Sequence, residues 1–461
     1  MTSILWLRRD LRRRDLPALV AAHEAAGDGR VLPVFVIDPA LTGSAGASRL
    51  ACLTDALAAL TEPYDGAVVL RRGHPQNVIA ALVREVRAAG VQVTGVHISA
   101  ETSPYGRRRD RLVEAHLPDG VPLVATGSPY AVTPGRVLNQ AGSPYRVFTP
   151  FARAWRDHGW RRPAAEPAGL RWFRGPGSEP MPEVVGAPAP ALPPVGERAA
   201  LDRWAAFLDD GVERYDRLRD RADLAGTSAM SAHLKYGTIH PRTMLAALAA
   251  HPAGRTSGAA VYATELCWRE FYADVLWHNP ASAWADLRTD LRTMAYDDPA
   301  GPAAEAFDAW AQGRTGFPFV DAGMRQLLAE GWVHNRVRMV VASFLVKDLH
   351  VWWPHGARYF LRHLRDGDVA ANSHGWQWVA GTGADASPYS RVFNPVVQGE
   401  RFDPQGDYVR RFVPELAHLP GATVHRPWTV AGGHDHGYPT PIVDHGVERE
   451  EALRRYAAAR G

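Results

Sequence analysis

The stretch DGDVAANSHGWQW, Asp366–Trp378, sets two acids around a glycine and follows them with polar and aromatic residues at intervals of four. Residues four apart share one face of a helix. Asp368, Asn372 and Trp376 therefore form one polar–aromatic stripe, with Asp366 and Gly367 just ahead of it. An acceptor, an amide and an indole on one stripe suit a planar heterocycle, although a capped helix with a packed tryptophan has the same spacing. Two more segments repeat the arrangement: Asn335, Arg338 and Met339 in WVHNRVRM, and Glu265, Trp268 and Arg269 in ELCWREFY, each lie at i, i+3 and i+4. Three such faces point to a polar cavity among packed helices, a usual place for a cofactor.

Outward from these segments the pattern is helical from about residue 198 to the end, beginning with ERAALDRWAAFLDDGVERYDRLRD. Before it, nine prolines fall between Pro163 and Pro194, a composition that reads as an extended linker wrapping the surface. The first 130 residues alternate short apolar runs (SILWLRRD, RVLPVFVID, AVVLRRG, VQVTGVHIS, PLVATG) with Ala/Leu helical stretches. Such continuous apolar strands between helices predict a doubly wound parallel sheet. The expected architecture is an α/β domain over 1–130, a connection over 131–197 and an all-helical domain over 198–461. No G-x-G-x-x-G follows the first strand, so a dinucleotide fingerprint there is not expected.

At 461 residues two or three domains are expected. No run of about 18 uncharged apolar residues suggests a membrane span. Arginines within the first ten residues argue against a secretion signal. Two cysteines, Cys52 and Cys267, cannot build a disulfide framework or metal cluster, so a cytoplasmic protein without a metal is expected. Only Lys235 and Lys347 are lysines among 52 basic side chains. A net charge of +3 permits nucleic-acid binding but requires a local arginine face for it. The segment Gly226–Ser231, GTSAMS, sets hydroxyls and backbone N–H groups at a helix start, which serves either as an anion site or as a plain N-cap. There is no H-E-x-x-H and no G-x-S-x-G nucleophile elbow.

Together with YRVFTPFARAW (Tyr145–Trp155), GTSAMSAHLKYG, GRTGFPFVDAGMRQL (Gly313–Leu327) and ASFLVKDL, these segments resemble the DNA photolyase/cryptochrome flavoproteins, most closely the microbial class I photolyases that split cyclobutane pyrimidine dimers. The blocks occur in family order along nearly the whole chain. The resemblance implies one FAD, reduced and anionic when active, in the helical domain. Its expected contacts are Tyr215, Thr227, Ser228, Ala229, Met230, Ser231, Arg269 and Gly367, with Arg338, Asp366, Asp368 and Asn372 around the ring. It implies damaged DNA as partner and a monomer as the working unit. Glu265, Asn335, Asn372 and Met339 are the residues expected to act at the lesion. Arg219, Glu265, Trp268, Tyr272, Asn335, Arg336, Trp378 and Gln398 are those expected to hold DNA, the aromatics stacking on a flipped-out dimer.

Photolyases of (6-4) photoproducts carry two histidines where this chain has His334 followed by Asn335, which favours cyclobutane dimers and a structural His334. Trp376 and Trp353 match the inner two members of the family's electron-transfer chain, and Tyr296 is nearest to the third. Ser103 occupies the place of a glutamate in folate-binding members. A second, antenna chromophore is therefore expected to be 8-hydroxy-5-deazaflavin rather than methenyltetrahydrofolate. A cryptochrome-type light sensor without repair activity is the alternative. Asn372, where plant sensors have an acid, and the short tail after the last block favour repair.

Overall fold

The computed structural model describes residues 1–27, 30–184, 193–389 and 391–460. Five strands follow the apolar runs: β1 (Thr2–Leu7), β2 (Arg30–Ile37), β3 (Val69–Arg72), β4 (Val93–Ile98) and β5 (Leu123–Ala125). All pair in parallel in the order β3-β2-β1-β4-β5. The period-2 alternation sends Leu5, Leu7, Val31, Phe35 and Ile37 into one apolar cluster and Ile4, Trp6, Leu32, Val34 and Val36 into another. The sheet is therefore buried on both faces, which is why its strands read as unbroken apolar runs. Helices Pro17–Ala25, Pro75–Ala88 and Pro104–His116 each begin with proline, whose fixed φ and missing N–H suit a first helical position.

The Pro-rich stretch departs in part from the linker expectation. Arg171 and Trp172 form β6, paired in parallel with Arg30 and Val31 of β2, and Leu70 of β3 exchanges backbone and side-chain bonds with Ser178 and Glu179. The proline-free run Leu170–Arg174 can donate to a ladder where its surroundings cannot. β6 also explains Pro33 inside a central strand. On that side β2 pairs with β6 through Val31 and with β3 from Val34, so Pro33 lies in the gap between ladders, where a missing N–H costs little. Residues 185–192 of the stretch lie outside the described residues.

The chain divides into two compact units. Of the described residues, the first holds those up to Glu213 together with Ser228–Pro280, and the second holds Arg214–Thr227 and those from Ala281 onward. This differs from the pattern-based boundary at residue 198, because helices Glu197–Asp210 and Ser257–His278 pack within the unit that holds the sheet. Hydrophobic periodicity marks where helices begin but not which core they join. The second unit is helical throughout, around a core that includes Trp310, Phe319, Val337, Phe344, Phe360 and Trp376. Among the described residues no helix is long and apolar enough to cross a membrane.

Candidate functional site

In the second unit the helix Val369–Ala380 starts where the spacing predicts. Asp368 is its N-cap, accepting from the Ala371 N–H at 3.0 Å, and Gly381 closes it in the left-handed region at φ 77°. The capped-helix reading of the stripe is met: Asp368 caps and Trp376 is buried, while Asn372 donates its amide N–H to the Ala357 carbonyl at 3.0 Å. Just upstream, Asp366 receives Arg338 Nη2 on Oδ2 at 2.8 Å, while Arg338 Nε donates to the Val333 carbonyl at 2.7 Å. The Asp366 side chain is 2% exposed, and its Oδ1 is buried without a hydrogen-bond partner among the described residues. An unpaired buried acceptor costs roughly 1–3 kcal/mol unless a bound group supplies a donor. A heterocycle with a ring N–H fits that place. Arg338, Asp366, Gly367, Asp368 and Asn372 are thus gathered at one end of one helix.

The aromatic residues of this unit form a connected set. Trp376 meets Phe360 edge-on at 5.1 Å and Trp310 at 6.2 Å. It also covers Gly356, where an added Cβ would stand 2.3 Å from the indole. Three residues before Gly356, Trp353 donates its indole N–H to Asp286 Oδ1 at 2.7 Å, and Trp352 donates to Oδ2 of the same carboxylate at 3.1 Å. The two rings are 6.4 Å apart. Trp352 is half-buried and lines a cavity of about 570 Å³ with Asp286, Arg292, Tyr296, Asp298 and His355. The Tyr296 hydroxyl is buried without a hydrogen-bond partner among the described residues, and burial raises its pKa well above the usual phenol value.

The helix Asn335–Ser343 begins one residue after His334, whose Nδ1 accepts the Arg336 N–H at 3.2 Å. His334 is buried, which pushes its pKa down to about 4, so it is neutral and serves as an N-cap. Asn335 is exposed, and Met339 is half-buried with its sulfur 3.6 Å from Arg336 Nη1. Arg336 is not a free cation: it grips Asp220 with Nη2 at 2.9 Å from both oxygens and lies over the Phe402 ring. Arg219 lies 5.6 Å above the Tyr215 ring, with Nε 4.0 Å from the same Asp220. Trp378 and Gln398 are half-buried, Gln398 on the helix Pro395–Phe402.

In the first unit, Trp268 stacks on Phe148 at 3.6 Å and 6° and tilts against Tyr272 at 5.4 Å. Glu265, half-buried, precedes it on the same helix, Ser257–His278. Arg269 donates to the carbonyls of Pro129 and Leu234 at 3.0 and 3.3 Å and lies over Tyr130. These bonds tie the guanidinium to the chain's own backbone. One residue on, buried Glu270 accepts from the backbone of Ala131 and Val132 and from the Trp155 indole at 2.5–3.0 Å. Ser228 Oγ lies 2.9 Å from the Tyr262 hydroxyl, and Ala229 is held at φ 49°. The helix Ser231–Tyr236 follows with Met230 as N-cap and no side-chain cap bond. The Met230 N–H donates to Ser228 Oγ at 3.4 Å, so one hydroxyl of the cluster does meet backbone at the helix start. Thr227, assigned to the second unit, is half-buried.

Asp220, Asp286 and Glu270 escape sequence reading. Each acts on a partner 66 to 139 residues away, and no local spacing signals such a pair.

The chain thus combines a parallel α/β sheet with a helical unit that carries a buried acid–guanidinium pair, an amide and a connected set of aromatic rings. Comparison with known proteins gives it a family. Residues 3–168 match the family model described as DNA photolyase, and residues 262–458 match the model described as the FAD binding domain of DNA photolyase. The deoxyribodipyrimidine photo-lyase of Streptomyces griseus is 40% identical over 473 residues, covering 100% of this chain and 99% of that protein. Among solved structures, a bacterial class III photolyase from Agrobacterium tumefaciens matches with TM-score 0.88 at 36% identity, over 100% of this chain and 98% of that one. An archaeal photolyase from Sulfolobus tokodaii, described with two FAD molecules, matches with TM-score 0.85 at 28% identity, over 99% and 100%. The chain belongs to the DNA photolyase family. It is a lyase and a flavoprotein of that family, with an N-terminal α/β domain and a helical FAD-binding domain. A class III enzyme matches along the full chain, so the likeness to class I members narrows to the family.

Proposed function

We propose that this photolyase repairs cyclobutane pyrimidine dimers in DNA. The observation that carries the substrate class is His334, a lone, buried and neutral imidazole occupied with capping its helix. Its Nδ1 is committed to the cap, and the next position is an asparagine. Reduced FAD, when bound, supplies the photoexcited electron that opens the cyclobutane ring. Asp366 and Arg338, with Asp368 and Asn372, would hold its ring, and Tyr215 with Thr227–Ser231 its phosphates and ribose. Trp268 and Trp378 would stack on the flipped dimer, while Glu265, Asn335 and Met339 contact its edges. The assay is cleavage of a dimer in an oligonucleotide under blue light and in the dark. A cryptochrome-type sensor would bind flavin yet leave the dimer intact under both conditions.

Arginine contacts to phosphate would position the DNA rather than read its sequence. Since Asp220 already neutralises Arg336 and lies near Arg219, phosphates must compete with it. Asp220→Asn is expected to tighten binding of damaged and undamaged DNA alike and to steepen the salt dependence by about one ion. A salt series of Kd values checks this, and weaker binding in the variant would contradict it.

Trp376 and Trp353 would relay electrons inward, as the family resemblance implies. For the outer member, geometry favours Trp352 over Tyr296. Trp352 shares a carboxylate with Trp353; Tyr296 lines the same cavity as Trp352, but its hydroxyl has no acceptor among the described residues for the proton that oxidation releases. Trp352→Phe should slow photoreduction more than Tyr296→Phe, read by transient absorption; the reverse order would restore Tyr296.

A second chromophore would lie at the carboxyl ends of β1 and β4, where the strand order switches direction. Ser103 there caps its helix and bonds Glu101 at 3.1 Å. A deazaflavin remains our reading, tested by the absorption of chromophore extracted from the purified protein.

A further inference from the structure

The helix Asn335–Ser343 runs directly into a π-helical turn, Phe344–Asp348, that buries Lys347 to 1% exposure. This is one of two lysines in a chain whose other 50 basic side chains are arginines. A buried ammonium needs acceptors, and Lys347 finds them in one loop. Its Nζ donates to the Arg391 carbonyl at 2.8 Å and to the Tyr389 carbonyl at 3.2 Å. It also lies 5.0 Å over the Tyr389 ring, which stacks in parallel on Tyr456 of the helix His445–Arg460 at 4.5 Å and 4°. The compact head of lysine, with three donors, suits two converging carbonyls better than the planar fork of arginine.

The loop held in this way follows the helix that bears Trp378. The Ser387 N–H donates to the Trp378 carbonyl at 3.1 Å, and Gly381 packs against Tyr389. At its far end the Phe393 N–H reaches Ser343 Oγ at 3.4 Å, just before the helix that carries Gln398. Lys347 thus ties together three elements: the helix of Asn335 and Met339, the end of the helix of Trp378, and the approach to Gln398.

We infer that Lys347 is a positioning residue for the DNA-binding surface, its ammonium fixing the loop that sets Trp378 and Gln398 relative to Asn335 and Met339. This rests on the proposed assignment of those residues to the lesion. Lys347 itself touches neither DNA nor cofactor in this account.

The test uses the flavin-loaded, full-length Lys347→Met protein, which keeps the length of the side chain and removes its charge. Affinity for a dimer-containing oligonucleotide should fall about tenfold, as expected on losing charge-assisted hydrogen bonds. Flavin content and the repair rate at saturating DNA should stay at wild-type values. Trypsin should cut after Arg391 faster than in the parent, since that carbonyl is no longer held. Faster cutting with unchanged affinity would overturn the inference, as would a loss of flavin in step with a loss of affinity. If Lys347→Met does not fold, Tyr456→Ala loosens the same loop from its other side and should lower affinity in the same direction; unchanged affinity there overturns the inference. Trp378→Ala separates this idea from the reading beneath it. A loss with Trp378→Ala and none with Lys347→Met defeats the inference alone. A loss with Lys347→Met and none with Trp378→Ala defeats the assignment of Trp378 and leaves Lys347 supported.

Discussion

Replacing Arg338 with alanine is expected to cost about 3–5 kcal/mol, the usual penalty for leaving one member of a buried ion pair alone, and to yield protein depleted in flavin. Asp366 is the reason. Its side chain is almost fully enclosed, one oxygen faces Arg338 and the other has no protein partner. Without the guanidinium the carboxylate is an uncompensated charge, which it can relieve only by taking up a proton or by opening the turn that precedes the helix Val369–Ala380. Either change alters the place where a ring N–H would be received. Arg338→Ala/Asp366→Asn removes both charges and should recover much of the stability without recovering flavin. Chemical denaturation and flavin absorbance measure the two effects separately. A single variant as stable as the parent would show that the pair is not important to the fold, and full flavin content in the double variant would remove it from the cofactor site.

Trp268→Ala should weaken binding of dimer-containing DNA by roughly 1–3 kcal/mol, one stacked base in magnitude, while binding of undamaged duplex changes little. The preference for damaged DNA would then fall roughly 5- to 150-fold. Trp268 is rigidly mounted. Its stack on Phe148 and its edge contact with Phe271 fix the ring plane, so a base added to it would lose little further freedom. Trp268→Phe keeps a stacking surface and should lose less. Competition binding between damaged and undamaged oligonucleotides gives the ratio. Equal discrimination in the alanine variant would place the lesion elsewhere.

Much of the fold is legible because burial on both faces of a parallel sheet leaves unbroken β-branched runs, and all five strands expected from them are present. β6 is missed because proline density outweighs a five-residue gap in it, and Pro33 becomes intelligible only once β6 is known. The helix of Asp368, Asn372 and Trp376 is readable since capping and face-sharing are local. The partner of Arg336, Asp220, lies 116 residues earlier, so its pairing is not legible locally. The same holds for Arg269, whose acceptors are the carbonyls of Pro129 and Leu234. The shared acceptor of Trp352 and Trp353 and the loop under Lys347 are also non-local. Sequence shows which residue types a site has, while pairing over such distances decides which of them are free to act.

The central claim is light-driven repair of cyclobutane dimers. The most direct measurement gives the purified, reduced protein two oligonucleotides, one with a single cyclobutane thymine dimer and one with a single (6-4) photoproduct, under blue light and in darkness. The account predicts restoration of the cyclobutane dimer in the light, none in the dark, and an untouched (6-4) product throughout. Repair of the (6-4) lesion, or a cyclobutane dimer left intact in the light by protein with full flavin content, would contradict it.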